Sequence, residues 1–399
     1  MKSILILTHA MELGGAEKSL LGLLEALDTT RYDVDLFLMR HAGELLPHIP
    51  DKIHLLPEIP QYASLAVPIK RVFQRGQFLV ALGRYRGKKA ACKRVAELGL
   101  PSDNDVGIQL SHVYTLPYMP GISAKEYDCV ISYLTPHYVA TERVKAKKRI
   151  AWIHTDYSTV AIDVEEQLKM WSRYDYIVSI SDAVKKSFTE KFPTLSSQVI
   201  NIGNMMPMLY LYTMVNAFQT EDEMPDDGTI RLLSIGRFCT AKNFDNVPDI
   251  CRRLRQLGHN VKWYLIGYGG DESLIRQRIS EAGMQEYVII LGKRENPYPY
   301  IRCCDLYVQP SRYEGKCVSV IEAQILQKPV IITDYPTSGS QLEDGVDGVI
   351  VPMGNEECAV GIAEVLSNPD KMNNLADNCR TRDYSNMTNI ESLYKIIEA

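Results

Sequence analysis

Residues 312–326 read "RYEGKCVSVIEAQIL", and the second of their two glutamates falls where a core residue should sit. From Cys317 the run has helical spacing. At about 100° per residue, Val318, Ile321, Glu322, Ile325 and Leu326 share one face, so Glu322 lies inside an apolar stripe. Burying an unpaired carboxylate costs on the order of several kcal/mol, so the fold must set a polar partner against it. The strand-like runs "DLYVQPS" (305–311) and "PVIITD" (329–334) flank the helix. Strand, loop, helix and strand in that order make one parallel βαβ unit.

The same alternation runs through the whole chain. "SILILT", "YDVDLFLM", "YDCVISYL", "RIAWIHT", "YDYIVSIS" and "QVINIGN" are strand candidates of a first doubly wound unit, with "GAEKSLLGLLEAL" as its first helix. A second series adds "TIRLLSIG", "VKWYLIG", "YVIILG" and "GVIVP" to the two strands already named, with helices "DESLIRQRISEAG" and "NEECAVGIAEVLSN". Between the series, "FQTEDEMPDDGT" (218–229) is acidic, contains Pro225 and Gly228 and lacks periodicity, so it reads as an exposed linker. The expected organisation is an α/β protein of two Rossmann-like domains, 1–205 and 206–380. An amphipathic helix within 381–399 packs back on the first. Two such domains facing a central cleft would form a ligand site at converging strand C-termini.

Composition narrows the class. A chain of 399 residues with 46% hydrophobic residues is long enough for more than one core. The net charge of −5 gives no reason to expect nucleic acid. Nine cysteines, odd in number and without C-x-x-C spacing, argue against a disulfide framework and a structural zinc site, and fit reduced thiols in a cytoplasm. The start, "MKSILILTHAMEL", has too short an apolar run for a signal peptide, and no stretch approaches membrane-spanning length. The expected location is the cytoplasm.

The polar residues that could carry chemistry fall in loops after strands. "LLSIGR" is followed by "FCTAKNFD", which puts Arg237 at a strand end and Lys242 before the next helix. Two cations beside a helix start make an anion site suited to diphosphate; the competing reading is two ordinary surface residues. Gly14 and Gly15, in "THAMELGGAEKSL", allow close backbone approach to a phosphate, or simply serve a turn. Neither this stretch nor "IGYGGDES" is G-x-G-x-x-G, which leaves a dinucleotide fingerprint unsupported. At helical rise Glu322 lies roughly 12 Å from Glu314, a span comparable to a nucleotide sugar. Its ribose diol would pair with Glu322, its phosphates with the amides around Cys317, Val318 and Ser319, and its hexose hydroxyls with Glu314 and Gly315. The alternative is that Glu322 pairs with a Lys or Arg of the fold.

These residues carry a resemblance. "GGAE" after the first strand, "SIGR" with a lysine five residues beyond its arginine, and "PSRYEG" through "IEA" resemble retaining glycosyltransferase family 4, the glycosyl transferases group 1, of GT-B fold. The match runs from the first loop to "GVDGVIVP". The resemblance implies a C-terminal domain that binds a nucleotide-diphosphate sugar, a UDP-sugar first, and an N-terminal domain that binds a saccharide or polyprenyl-diphosphate-linked acceptor. It assigns Arg237 and Lys242 to the diphosphate, Glu314 to the donor sugar and Glu322 to the ribose. It also sets the base against "GKRENP" near Lys293 and Arg294, and His154 of "RIAWIHTDY" beside the anomeric carbon. A lone histidine there equally fits core packing. The sequence departs from the pattern at Gln341, where relatives often have an acid, and at Lys316, where an aromatic is frequent.

The implied reaction breaks the bond between an anomeric carbon and a diphosphate. Cations and amides at the phosphate, namely Arg237, Lys242 and Gly15, would stabilise the charge that develops there. Retention by same-face attack needs no protein base, which agrees with the lack of an assignable acid/base carboxylate pair. No metal site and no resident cofactor are expected. From Lys70 to Arg94 the sequence has no Asp or Glu and interleaves basic residues with Phe73, Phe78, Leu79 and Leu82. That segment reads as a surface for anionic lipid at the inner face of a cell membrane, or as a solvated helix with a core-facing stripe. A nucleotide-sugar epimerase of the same architecture and a noncatalytic nucleotide-sugar binding protein are the rival functions. Bacterial surface polysaccharide assembly is the setting the resemblance suggests.

Overall fold

The computed structural model describes residues 1–101, 104–134 and 136–399. The chain divides into two compact units, one of residues 1–207 with 386–399, the other of residues 208–385.

The first unit is built on seven strands: β1 (Lys2–Thr8), β2 (Tyr32–Leu38), β3 (His54–Leu55), β4 (Glu126–Ser132), β5 (Lys145–Ile153), β6 (Tyr176–Ser179) and β7 (Val199–Asn201). They pair in parallel in the order β3-β2-β1-β4-β5-β6-β7. Ile4, Leu5, Ile6 and Leu7 are all buried. Such an unbroken apolar run fits a strand covered by helices on both faces. β3, two residues long, carries too little pattern to be read from sequence. The helix Ile390–Glu398 belongs to this unit. Its Tyr394 stacks on Tyr32 at 4.9 Å, and the Tyr394 hydroxyl accepts from the Asp28 N–H at 2.7 Å.

The second unit holds β8 (Ile230–Ile235), β9 (Val261–Ile266), β10 (Val288–Gly292), β11 (Leu306–Gln309), β12 (Val330–Thr333) and β13 (Val349–Val351), in the order β10-β9-β8-β11-β12-β13, again all parallel. Gly283 ends the helix Glu272–Ala282 in the left-handed region at φ +68°, the usual chemistry of a helix stop. The quoted stretch forms the helix Val318–Ile325, with Val320 to Gln324 all buried. The middle of this helix is therefore enclosed on every side rather than along one stripe.

Residues 218–229, read from sequence as an exposed linker, fall within the second unit and are mostly exposed. Thr220 and Met224 are buried, and Glu223 binds Arg294 and the Tyr300 hydroxyl. Of its acidic residues, Glu223 makes those bonds and Asp227 pairs with Lys262, while Glu221, Asp222 and Asp226 are exposed. The chain passes between units at residues 207/208 and returns at 385/386. Among the described residues, no helix is long and apolar enough to cross a membrane.

Candidate functional site

In the second sheet the strand order reverses between β8 and β11, the point where a doubly wound fold leaves a crevice beyond its strand ends. The loops after these two strands are tied together. The Arg312 Nη1 and Nη2 donate to the Asp245 carboxylate at 2.9 and 2.8 Å, Nη1 also donates to the Thr240 carbonyl at 2.7 Å, and the Arg312 N–H donates to the Ala241 carbonyl at 2.8 Å. Lys242 and Glu314 meet across this junction, with Nζ 2.6 Å from Oε1, and the Ser311 hydroxyl donates to the same oxygen at 2.5 Å. The Lys242 and Glu314 side chains are only 17% and 11% exposed.

Burial alone would lower the Lys242 pKa, yet Cys317 and Glu314 beside it raise it instead. Burial also pushes the Cys317 thiol up, so near neutral pH the thiol carries no charge. Glu314 is then the group that keeps the ammonium protonated. The sequence reading set these two residues on different parts of one ligand; in the structure they neutralise each other.

Arg237 stands at the β8 end of the crevice, exposed and without an ion pair among the described residues. Its loop lies flat on the loop after β9. The Gly236 N–H donates to Ile266 at 3.0 Å and the Phe238 N–H to Tyr268 at 2.8 Å. That approach requires glycine at 267 and 269, where φ is +155° and +156° and a Cβ would sit 1.9 Å from the Gly236 oxygen and 2.2 Å from the Phe238 oxygen. The glycines of "IGYGGDES" thus serve loop packing.

Three residues expected at the donor have protein partners in the structure. The Cys317 N–H, assigned from sequence to a phosphate, donates to Gln341 Oε1 at 2.7 Å, and Gln341 Nε2 returns a bond to the Cys317 carbonyl at 3.3 Å. This leaves the first-turn amides of Val318 and Ser319, which have no partner within their own helix, as the donors at that terminus. Glu322 has no exposed surface, and its Oε1 accepts from the Tyr298 hydroxyl at 2.8 Å. Tyr298 is thus a polar partner of Glu322, and a ribose at that oxygen would have to displace the bond. Arg294, assigned to the base, is taken up by Glu223 and by Tyr300, whose hydroxyl lies 3.0 Å from Nε. Lys293 lies over the half-exposed Tyr268 ring at 5.4 Å. Gly315 has open space around its Cα, and Lys316 donates to the Ser340 carbonyl.

Gly14, Gly15 and His154 belong to the first unit. Gly14 caps the helix Gly15–Ala26 with φ −144°, extended backbone open to any residue. A Cβ there would lie 2.1 Å from the Glu17 carboxylate. A negative side chain thus covers the helix start, and a phosphate at Gly15 would require it to swing aside. His154 follows β5, its ring 4.8 Å from that of Tyr133. Burial lowers its pKa to about 4, so the imidazole is neutral at physiological pH.

Sequence reasoning missed Tyr298, Ser311, Arg312 and Asp245. The last two offered a signal, since opposite charges in loops after two adjacent strands are placed to pair. Tyr298 offered none, because "NPYPYIRC" reads as an ordinary buried helix.

Residues 216–382 match the sequence model of the glycosyl transferases group 1. That match takes in nearly the whole of the second unit. Among curated relatives, the chain is 25% identical over 156 residues to an alpha-D-kanosaminyltransferase of Streptomyces kanamyceticus, covering 38% of this chain and 40% of that one. It is 23% identical over 175 residues to a poly(ribitol-phosphate) alpha-N-acetylglucosaminyltransferase of Staphylococcus aureus, covering 43% and 36%. A 27% identical match over 142 residues joins it to an N-acetylgalactosaminyltransferase acting on a diphospho-undecaprenol saccharide in Campylobacter jejuni, covering 35% and 38%. The chain thus spans about two fifths of the length of these relatives. Among solved structures, Anabaena HepE in complex with UDP and glucose superposes with a TM-score of 0.69 at 15% identity over 100% of both chains. S. aureus TarM, crystallised with UDP among its ligands, gives 0.67 at 14%, again over 100% of both. These likenesses establish the GT-B fold. Every unit-two residue of the candidate site lies inside the matched group 1 domain.

Proposed function

We propose that the protein is a retaining, metal-independent glycosyltransferase. It moves a hexosyl or N-acetylhexosaminyl unit from a nucleotide-diphosphate sugar, UDP first, to a saccharide or lipid-linked saccharide in bacterial surface polysaccharide assembly. The observation that carries this reading is the Lys242–Glu314 pair, with Arg237 beside it, at the switch point of the group 1 domain. A cation held protonated and mostly enclosed is suited to a diphosphate leaving group, because a fixed charge in a poorly hydrated site needs no reorganisation as the bond breaks. The incoming diphosphate competes for Lys242 and frees Glu314 to meet sugar hydroxyls. Arg237 supplies a second cation, the Val318 and Ser319 amides add donors, and neutral His154 offers a hydrogen bond rather than a charge to the sugar. The names of the relatives and the UDP bound to HepE and TarM support the donor class.

The finer reading of the acceptor side rests on the helices Ile69–Gln74 and Phe78–Leu98. Phe73, Phe78, Leu79 and Tyr85 are each more than half exposed, and Lys70, Arg71, Arg75, Lys88 and Lys89 are exposed with them. Apolar side chains ringed by cations suit an anionic membrane surface from which a lipid-linked acceptor is taken.

The test is transfer from radiolabelled UDP-sugars to a membrane extract, read as label in the acceptor fraction. Isomerised free sugar would point to an epimerase, and tight UDP binding with no turnover would point to a binding protein; either result overturns the proposal.

A further inference from the structure

Three same-face positions on the way out of β11 are polar and buried. Leu306 and Val308 alternate with them and belong to the apolar core of the second unit, while Tyr307, Gln309 and Ser311, each 0% exposed, take the other face, as residues two apart on a strand do. They form one line of hydrogen bonds. The Tyr307 hydroxyl donates to Gln309 Oε1 at 2.9 Å, Gln309 Nε2 donates to the Ser311 hydroxyl oxygen at 2.9 Å, and the Ser311 hydroxyl donates to Glu314 Oε1 at 2.5 Å. The backbone of this stretch is braced as well: the Thr333 hydroxyl donates to the Ser311 carbonyl at 2.5 Å and the Thr337 hydroxyl to the Glu314 carbonyl at 2.7 Å.

The direction of the line follows from its last member. A carboxylate facing an ammonium only accepts, so Ser311 spends its single proton on Glu314. Gln309 must then present its amide nitrogen to Ser311, which turns Oε1 towards Tyr307, whose hydroxyl burial keeps protonated. Every donor in the line thus points towards Glu314. Packing alone does not call for such a row, because apolar side chains of the same shape fill a core as well or better. Both protein bonds of the carboxylate fall on Oε1, which leaves Oε2 without a partner among the described residues.

We infer that Tyr307, Gln309 and Ser311 are positioning residues that hold Glu314 for the donor sugar. The inference rests on the donor reading above and deepens it. When a diphosphate draws Lys242 away, Oε1 loses one of its two partners, and the Ser311 hydroxyl is what keeps the carboxylate from following the ammonium. Anchored through Oε1, Glu314 offers Oε2 to a hydroxyl of the transferred sugar. Recognition of the sugar, and not of the diphosphate, therefore depends on the line.

Titration calorimetry on the intact protein separates the two parts of the ligand. The probes are UDP and whichever of UDP-glucose, UDP-galactose, UDP-N-acetylglucosamine and UDP-N-acetylgalactosamine wild type binds most tightly. Ser311→Ala should weaken that UDP-sugar about tenfold and UDP by less than about threefold, and Ser311→Thr, which restores a hydroxyl, should recover most of the loss. Gln309→Glu keeps the side-chain shape but sets an acceptor where the line needs a donor. It draws the Ser311 proton away from Glu314 and should match Ser311→Ala, with retained UDP binding reporting an intact fold in both. Little effect from Gln309→Glu, or equal weakening of UDP and UDP-sugar by Ser311→Ala, is what packing alone would give, and either overturns the inference. Failure of wild type to bind any of the four UDP-sugars would instead remove the donor reading, and the inference with it.

Discussion

The two units share one architecture and differ in what they place at its functional edge. At the β8/β11 switch point the second unit sets charge: Lys242 against Glu314, Arg312 against Asp245, Arg237 in the open. At the corresponding β1/β4 reversal the first unit buries a chain of neutral side chains. The Tyr133 hydroxyl donates to Ser19 at 2.8 Å, and Ser19 donates to Asn204 at 2.9 Å, all three buried. The difference lies in loop chemistry, since both sheets are parallel and apolar. A buried ion pair in one unit and a buried hydroxyl chain in the other thus stand at the same point of one architecture used twice.

Removing charge from the second unit is the strongest way to break that contrast. Lys242→Met should lower kcat for transfer from the UDP-sugar by about 10²–10³-fold, the usual loss when one preorganised donor to a developing anion is deleted. Tyr133→Phe, which removes a neutral hydroxyl from the first unit, should cost less than about tenfold by the same reasoning. Steady-state rates at saturating acceptor check both. A Lys242→Met enzyme within tenfold of wild type would leave the ion pair as a purely structural contact.

Acid should separate the units next. Every histidine whose pKa burial lowers lies in the first unit, including His112 at about 4, His137 at about 3 and His154 at about 4, while the second unit's only histidine is His259. Above about pH 6.5, the ordinary histidine value, these groups are neutral folded and unfolded, and their contribution is fully present. As pH falls from 6.5 towards 4, the unfolded chain takes up protons that the folded unit refuses, and stability declines. The loss is on the order of a few kcal/mol for each of these histidines, given ~1.4 kcal/mol per pKa unit. The second unit's carboxylate partners, such as Asp227 and Asp245, are held below their usual range and yield only at more acid pH. Hydrogen exchange followed by mass spectrometry from pH 6.5 to 4 should show first-unit amides losing protection first; the opposite order would sink the distinction.

How far the sequence disclosed this molecule follows from the range of the interactions involved. Strands such as "SILILT" and "VKWYLIG" were legible because a strand buried on both faces must be apolar throughout, which is a local property. Arg237, Lys242 and Glu314 were legible as residues that follow strands and precede helices. Their mutual neutralisation was not, since the Lys242–Glu314 contact joins positions 72 apart in the chain. Glu322 posed a question that sequence could frame but not answer, because its partner Tyr298 lies 24 residues upstream on another helix. The bonds of Glu223 were hidden for a similar reason: an acidic, aperiodic stretch looks the same whether one of its carboxylates meets water or Arg294.

The Glu322 pair gives a smaller effect confined to the second unit. Tyr298→Phe removes the hydroxyl that donates to a carboxylate with no exposed surface, at a cost of about 1–3 kcal/mol. Urea denaturation should show the lower midpoint, and Glu322→Gln, which removes the charge but keeps an acceptor, should cost less in the same assay. A carboxylate variant no better than Tyr298→Phe would mean that charge, not the hydrogen bond, governs the site.

The smallest stability effect is expected at the outer face of the helix Phe78–Leu98. Its inner face is made of small residues. A Cβ at Gly83 would lie 2.7 Å from the Tyr114 carbonyl and one at Gly87 2.6 Å from that of Leu110, so this side approaches the helix Val106–Thr115 too closely for larger side chains. The large apolar residues are therefore turned outward, with Phe78 and Leu79 57% and 60% exposed. Replacing both with serine removes little buried area and should shift the unfolding free energy by no more than about 0.5 kcal/mol. Gly87→Ala, one methyl group on the opposite face, should cost more. If the outer face serves a membrane, the double serine variant loses recovery with anionic liposomes in flotation while keeping its melting temperature, and neutral liposomes recover neither protein. Equal flotation of wild type with both lipids would assign the exposed aromatics to something other than an anionic surface.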